Sequence, residues 1–147
     1  MSMLHLAAPD DLPRIAPMVA AFHAEQGLTT TEADRMAALE LLFSGEVQAA
    51  AWMIGPRRAP VGYIVIAFGF SIELGGREAF VDEFFLRGAV RGRGMGTQVL
   101  QALLPMLREM GVRAVHLETK GNGERVALYK RAGFALRDGY CLMTRVL

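Results

Sequence analysis

The chain has 147 residues, 52% of them hydrophobic, and its 16 Lys+Arg against 15 Asp+Glu leave a formal net charge of +1. That length suits one ordinary domain, residues 1–147, with a single core, and the near-balanced charge argues against nucleic acid as the main partner. The single cysteine, Cys141, excludes an internal disulfide framework. No stretch approaches the roughly 20 apolar residues of a membrane helix, and the N-terminus lacks a signal-peptide pattern. A soluble, reduced, cytoplasmic protein without membrane or nucleic-acid partners is expected.

Residues 3–7 are short and partly apolar and predict an opening strand. Asp10 is the expected N-cap of a first helix carrying Leu12, Ile15, Met18, Val19 and Phe22. Pro13 suits a first turn, whereas Pro17 should kink the helix or start it afresh. His23 lies near the end of this helix. Thr29, Thr30 and Thr31 then offer caps for a second helix over 32–44.

Beyond Gly45 the period changes. Residues 47–54, 60–68 and 78–86 read as three strands joined by the turns Gly55-Pro56 and Gly75-Gly76, which makes an antiparallel meander. After the third strand comes Arg91-Gly92-Arg93-Gly94-Met95-Gly96-Thr97, and then apolar residues at helical spacing from Val99 to Met110. Gly111 is a good C-cap, and residues 113–119 form another strand. A strand–helix–strand crossover of this length implies that the new strand runs parallel to the one ending at Leu86. A short helix over 124–132 follows, and residues 134–136 and 140–146 read as a closing hairpin around Asp138-Gly139.

The glycine-rich turn is the chemically informative stretch. Glycines strip side chains from it, so backbone N–H groups can approach a ligand, and the helix that follows has unpaired N–H groups and a positive dipole end. Together these make an anion site, reinforced by Arg87, Arg91 and Arg93. A tight connection that binds nothing is the plainer alternative. A dinucleotide fingerprint fails because its third glycine would fall at Thr97, and a nucleotide P-loop fails because no lysine is present.

What fits is Arg-x-x-Gly-x-Gly, read as Arg91, Gly94 and Gly96, with a second motif downstream. Asn122 stands seven residues before Tyr129, which is followed by Lys130-Arg131-Ala132-Gly133-Phe134. This pair of motifs resembles the signatures of the GCN5-related N-acetyltransferases (GNAT), and the order of elements matches that family from end to end. The resemblance implies an α/β fold with a mixed, mostly antiparallel sheet of about six or seven strands. Strands four and five would splay apart, and about four helices would pack on both faces. It also implies acetyl-CoA as co-substrate and no metal. Backbone groups of Phe84, Phe85 and Leu86 would bond the pantetheine amides, and Asn122 would touch the pantetheine from the other side. The loop Arg91, Gly92, Arg93, Gly94, Met95, Gly96 and Thr97 would hold the pyrophosphate. One departure stands out: position 125, usually alanine in this pattern, is Arg125, which must point aside or contact the cofactor itself.

Tyr129 occupies the position of the general acid that protonates the CoA sulfur; the plainer reading is a tyrosine packed in a helix–sheet core. Asp82 and Glu83 are adjacent carboxylates in a strand that should be buried on both faces, costly unless they serve something. Adjacent strand residues face opposite ways, so both enter one cleft only if a bulge intervenes. One would take the proton of the acceptor amine and the other anchor a cationic acceptor; the alternative is an ion pair with Arg77 or Arg87. His23, Glu73 and Glu118 are weaker acceptor-side candidates, with His116 beside them. An acidic pocket of Glu73, Asp82, Glu83 and Glu118 would suit a polyamine or another cationic amine. The expected activity is acetyl transfer to a primary amine of a small molecule or peptide by direct attack in a ternary complex. A CoA-binding regulatory module without transfer, or a structural domain, is the competing reading. Homodimers are common in such proteins.

Overall fold

The structure, a computed structural model, describes residues 3–120 and 123–147. Its strands are β1 (Leu4–Leu6), β2 (Ala49–Ile54), β3 (Gly62–Ser71), β4 (Gly76–Leu86) and β5 (Ala114–His116). Its helices are α1 (Leu12–Glu25), α2 (Glu32–Ser44), α3 (Met95–Glu109) and α4 (Glu124–Arg131). The strands form one sheet in the order β1-β2-β3-β4-β5. The first four are antiparallel neighbours, and β5 lies parallel to β4.

Cross-strand register sorts the side chains into two cores. Trp52, Ile64 and Phe84 stand opposite one another and pack with Val99, Leu100, Leu103 and Leu107 of α3 and with Tyr129 of α4. One residue along, Met53, Tyr63 and Phe85 point the other way and pack with Ile15, Met18, Val19 and Phe22 of α1 and Leu39 of α2. Both faces are therefore covered, which is why β2 and β3 read as near-continuous apolar runs. Each of these large side chains contributes about 1.5–3 kcal/mol by leaving water. Gly62 is required where β3 meets the end of β4, because a side chain there would run into the Phe85 carbonyl oxygen.

The helix starts differ from expectation in detail. A 3-10 turn, Pro9–Asp11, precedes α1, and Asp11 rather than Asp10 is the polar residue at its start. The buried Asp11 carboxylate accepts from Ala8 N–H at 2.9 Å and Arg14 Nη2 at 2.8 Å. Burial alone would raise its pKa; these two partners overcome that and hold it below its usual value. Helix α1 runs on through Pro17, whose missing N–H removes a single bond near the helix start. Thr31 caps α2 by accepting from Asp34 N–H at 3.1 Å, and Gly45 closes it in the left-handed conformation at φ 81°.

Two features of the sheet position the site. Val65 pairs with Glu83 and Ile66 with Val81, so Asp82 is an extra, unpaired residue: a β-bulge. Strands β4 and β5 pair only from Glu78↔Ala114 to Phe80↔His116 and then separate. From Val81 to Leu86 the outer edge of β4 faces a wedge instead of a neighbour. The strand expected over 113–119 thus shrinks to three residues.

The closing hairpin does not form. Among the described residues the sheet has five strands rather than six or seven, and residues 134–136 and 140–146 are in none of them. The turn at Asp138-Gly139 is present, with Gly139 at φ 83°. An isolated pair of short strands is at best marginal in water, and this segment makes no ladder with β5 that would hold it.

Candidate active site

The wedge beside β4 opens onto the glycine-rich loop, and the two share a cavity of about 300 Å³. Gly92 and Gly94 have φ 75° and 77°, left-handed values that a side chain would strain, and Gly94 is the N-cap of α3. Gly96 has a different job. A Cβ there would come 3.1 Å from Leu128 Cδ2, so its glycine lets α3 approach α4. Met95 and Thr97 are half-buried in the first turn of α3, and Arg93 is exposed. The free N–H groups of this turn and the nearby arginines can hold an anion.

Arg91 is tied down in the structure. Its Nε donates to the Leu86 carbonyl at 2.7 Å, its Nη2 reaches the Glu25 carboxylate at 2.8 Å, and its guanidinium lies 5.5 Å from the Phe85 ring centroid. Hydrogen bonding to Arg91 holds the Glu25 carboxyl below its usual range. The end of α1 is thereby fastened to the loop.

Arg125 does not point aside. From α4 it reaches across the wedge, with Nη1 3.5 Å from the Phe84 carbonyl and its guanidinium 5.9 Å from the Phe22 ring centroid on α1. Two arginines therefore stand at outward carbonyls of β4, Arg125 at Phe84 and Arg91 at Leu86. These lie in the stretch assigned to pantetheine from the sequence. Tyr129, 6% exposed, sits one helical turn from Arg125, lines the same cavity and packs edge-on against Phe134 at 5.8 Å. Burial raises its phenol pKa, and the Arg125 charge opposes that rise. Asn122 lies outside the described residues.

On the opposite face, the bulge separates the roles of the two carboxylates. Glu83 points toward α1 with Tyr63, Val65 and Phe85. His23 Nε2 lies 2.5 Å from its Oε2, and the Tyr63 hydroxyl donates to its Oε1 at 2.8 Å. His23 Nδ1 in turn lies 2.7 Å from Thr30 Oγ1 in the loop before α2. The side chains of His23 and Glu83 are 12% and 18% exposed, so the pair is shielded but not sealed. The proximity of Glu83 raises the Tyr63 phenol well above its usual value, after the larger effect of burial. Neither Arg77 nor Arg87 takes part: Arg77 donates to the Met110 carbonyl and Arg87 to that of Pro60. Asp82 lies at the exposed rim. Crowding by surrounding protein raises its carboxyl pKa, the negative charges of Glu83 and Glu118 add to that, and His23 opposes.

The weaker candidates divide. His23 joins Glu83, and exposed Glu118 contributes charge near Asp82. Glu73 pairs with Arg137 at 3.7 Å on the surface, and among the described residues no contact links it to the other acids. His116 stacks on Phe80 at 4.8 Å and lies 3.7 Å from Glu78. Three participants escaped the sequence reading: Tyr63, Thr30 and Glu25. Only Tyr63 left a trace, as the one hydroxyl inside an apolar run.

No curated protein matches the sequence. Among solved structures, an integron cassette protein from the mobile metagenome of Cole Harbour Salt Marsh is 32% identical. It superposes with a TM-score of 0.85 over 99% of this chain and 90% of its own. A predicted acetyltransferase with acetyl-CoA from Clostridium acetobutylicum shares the fold at 16% identity and a TM-score of 0.78, over 96% and 94% of the two chains. The ribosomal-protein-alanine N-acetyltransferase of Brucella melitensis biovar Abortus 2308 does so at 17% and 0.76, over 97% and 99%. The sequence profile of the acetyltransferase (GNAT) family matches residues 19–134. With that match, and with the bulge, wedge and glycine loop in one place, the chain belongs to the GNAT acetyltransferase family.

Proposed function

We propose that this chain moves the acetyl group of acetyl-CoA onto a primary amine of a cationic small molecule or a peptide, by direct attack within a ternary complex. The observation that supports this most is the wedge itself. It has a glycine-rich loop with a helix N-terminus at one end, a shielded carboxylate–imidazole pair on one face and a buried phenol on the other.

The residues present fit acetyl-CoA. Amides at Gly92, Gly94, Met95, Gly96 and Thr97, with Arg91 and Arg93, would hold the pyrophosphate; backbone groups of Phe84, Phe85 and Leu86 would hold the pantetheine. The thioester supplies an activated acetyl group. Arg125 must share or yield the Phe84 carbonyl when the wedge fills.

An acceptor enters as an ammonium ion and must lose a proton before it can attack. Glu83 takes that proton and passes it to His23, whose other nitrogen meets Thr30 at the surface. Asp82, with Glu118 behind it, anchors the cation at the rim. As the amide forms, the attacking nitrogen sheds a second proton; Tyr129 would donate to the departing sulfur from the opposite face and be restored by that proton.

The test is a panel of polyamines, amino acids and short peptides, with acetyl-CoA-dependent release of free thiol as the readout. Cys141 is exposed, so the assay is run on the Cys141→Ser chain. Turnover of a cationic amine is expected. Failure to bind CoA in calorimetry would overturn the reading, and binding without turnover of any amine would favour a CoA-binding module.

Asp82 gives a prediction with opposite effects on stability and activity. A carboxyl whose pKa is raised by folding stabilises the fold when protonated and loses that contribution as pH rises through the raised value. Asp82→Asn is therefore expected to melt at a higher temperature than the parent at pH 7, with the gap closing as pH falls toward 3.8, the ordinary aspartate value. The same variant should raise KM for cationic acceptors and leave KM for acetyl-CoA unchanged. Melting curves at a series of pH values and steady-state kinetics check both.

A further inference from the structure

Two guanidiniums gather at the α1 side of the wedge. Arg91 lies 5.5 Å from the Phe85 ring centroid and Arg125 5.9 Å from that of Phe22, and the two rings are 6.1 Å apart. Both rings belong to the core that packs against α1. The two arginines are not equally matched. Arg91 has a carboxylate, Glu25, at 2.8 Å. Arg125 has neutral acceptors only: the Phe84 carbonyl at 3.5 Å, the outer limit of a hydrogen bond, and the Tyr129 hydroxyl. Among the described residues it makes no ion pair. The Glu25 carboxyl is held low by its bond to Arg91 first and by the Arg125 charge last, so one carboxylate serves two cations. Arg125 is also exposed, so a ligand can reach it.

Across the Phe22 ring the charge is reversed. That ring is 6.2 Å from the His23 ring, and His23 meets Glu83, with Asp82 and Glu118 contributing negative charge beside them. The α1 side thus offers carboxylates to an ammonium group and, one aromatic ring away, a guanidinium with N–H groups to spare. A polyamine would use the first and be repelled by the second. A molecule with an amine and a carboxylate a few bonds apart uses both. CoA does not supply that anion: its phosphates suit the loop with Arg91 and Arg93, and its pantetheine arm is uncharged. When the wedge fills, Arg125 gives up the Phe84 carbonyl and keeps an unmatched charge. The partner that best suits a guanidinium is a planar carboxylate, met by two parallel N–H bonds.

We infer that the acceptor carries its own carboxylate and that Arg125 binds it, which makes the acceptor a free amino acid. The inference rests on the acetyl transfer proposed above and narrows its acceptor. The ammonium end lies at Glu83 and Asp82, and the carboxylate end at Arg125. At a position where the family pattern usually has alanine, this arginine separates aminocarboxylates from plain amines.

The common L-amino acids are offered beside their α-amides, each pair differing in the charge of the carboxyl end. Two readouts are taken at neutral pH: acetyl-CoA-dependent thiol release, and calorimetric titration of each compound into the protein saturated with CoA, which carries no acetyl group to transfer. For at least one pair the free acid is expected to bind and to turn over about tenfold better than its amide. Arg125→Ala is expected to bring that ratio to about one, and alanine suits an exposed helical position. The ratio is taken within one variant, so a general effect of the substitution on Tyr129 or on CoA cancels. Free acids no better than their amides throughout overturn the inference, as does a preference that survives Arg125→Ala. A preference for succinyl-CoA over acetyl-CoA that Arg125→Ala abolishes places the carboxylate in the donor and overturns it too. If amides and plain amines are acetylated as fast as the acids, transfer stands and only the acceptor class falls. If nothing is acetylated, the proposed reaction falls, and the binding ratio alone decides the role of Arg125.

Discussion

Glu83→Gln is expected to lower kcat for amine acetylation by about 10²–10⁴-fold at neutral pH, the range typical of a lost general base. Glutamine has nearly the same shape and can still accept from the Tyr63 hydroxyl and meet His23, so the local packing should survive. What it cannot do is hold the acceptor's proton. Glu83 lies on the α1 side of the sheet, where its carboxylate is engaged by His23 and Tyr63 and not by a residue of the glycine-rich loop, so KM for acetyl-CoA should stay as it was. The signature of the role is a pH profile. As pH rises, more of the acceptor arrives already neutral, and the variant should recover toward the parent. His23→Gln should lose less, because Glu83 remains to take the proton and only its exit is impeded. A Glu83→Gln rate within about threefold of the parent at neutral pH would place the base elsewhere.

The sequence carried the order of elements and the loop because both are written locally. Strand period, helix period and glycine position each depend on neighbours a few residues away. The bulge was legible only as a condition: two adjacent acids could serve one cleft only if the strand slipped, and Asp82 is the residue left unpaired. The partners of Glu83 were not legible. His23 lies 60 positions away and Tyr63 20, and nothing in either local stretch names the other. Arg125 shows the same limit from the other side. Its departure from the family pattern was plain, but its reach to the Phe84 carbonyl and the Phe22 ring depends on three elements meeting. The hairpin failed for a related reason. Residues 140–146 have the composition of a strand, but a strand also needs an edge to pair with, and composition does not supply one.

Tyr129→Phe is the companion test on the opposite face, with an expected loss of about 10²–10⁴-fold in kcat and little change in either KM. Phenylalanine keeps the edge-on contact with Phe134 and the rest of the buried ring. Removing a hydroxyl that Arg125 can pair with should cost only about 1 kcal/mol of stability, so a large kinetic defect cannot be ascribed to unfolding. The direction of the phenol's shift bears on the chemistry. Burial raises it while Arg125 opposes that rise, so Tyr129 carries its proton throughout the neutral range. Such an acid would be too weak to protonate a solvated thiolate, whose conjugate acid has a pKa near 8.5. Inside the wedge the comparison changes, because desolvation raises thiol and phenol alike and the transfer returns toward balance. At a position where the family usually has alanine, the Arg125 charge opposes the rise of the Tyr129 phenol. In the parent, activity should persist through pH 10, the ordinary tyrosine value, and a fall centred below it would contradict the assignment. Turnover by Tyr129→Phe equal to that of the parent across this range would remove Tyr129 from the reaction altogether.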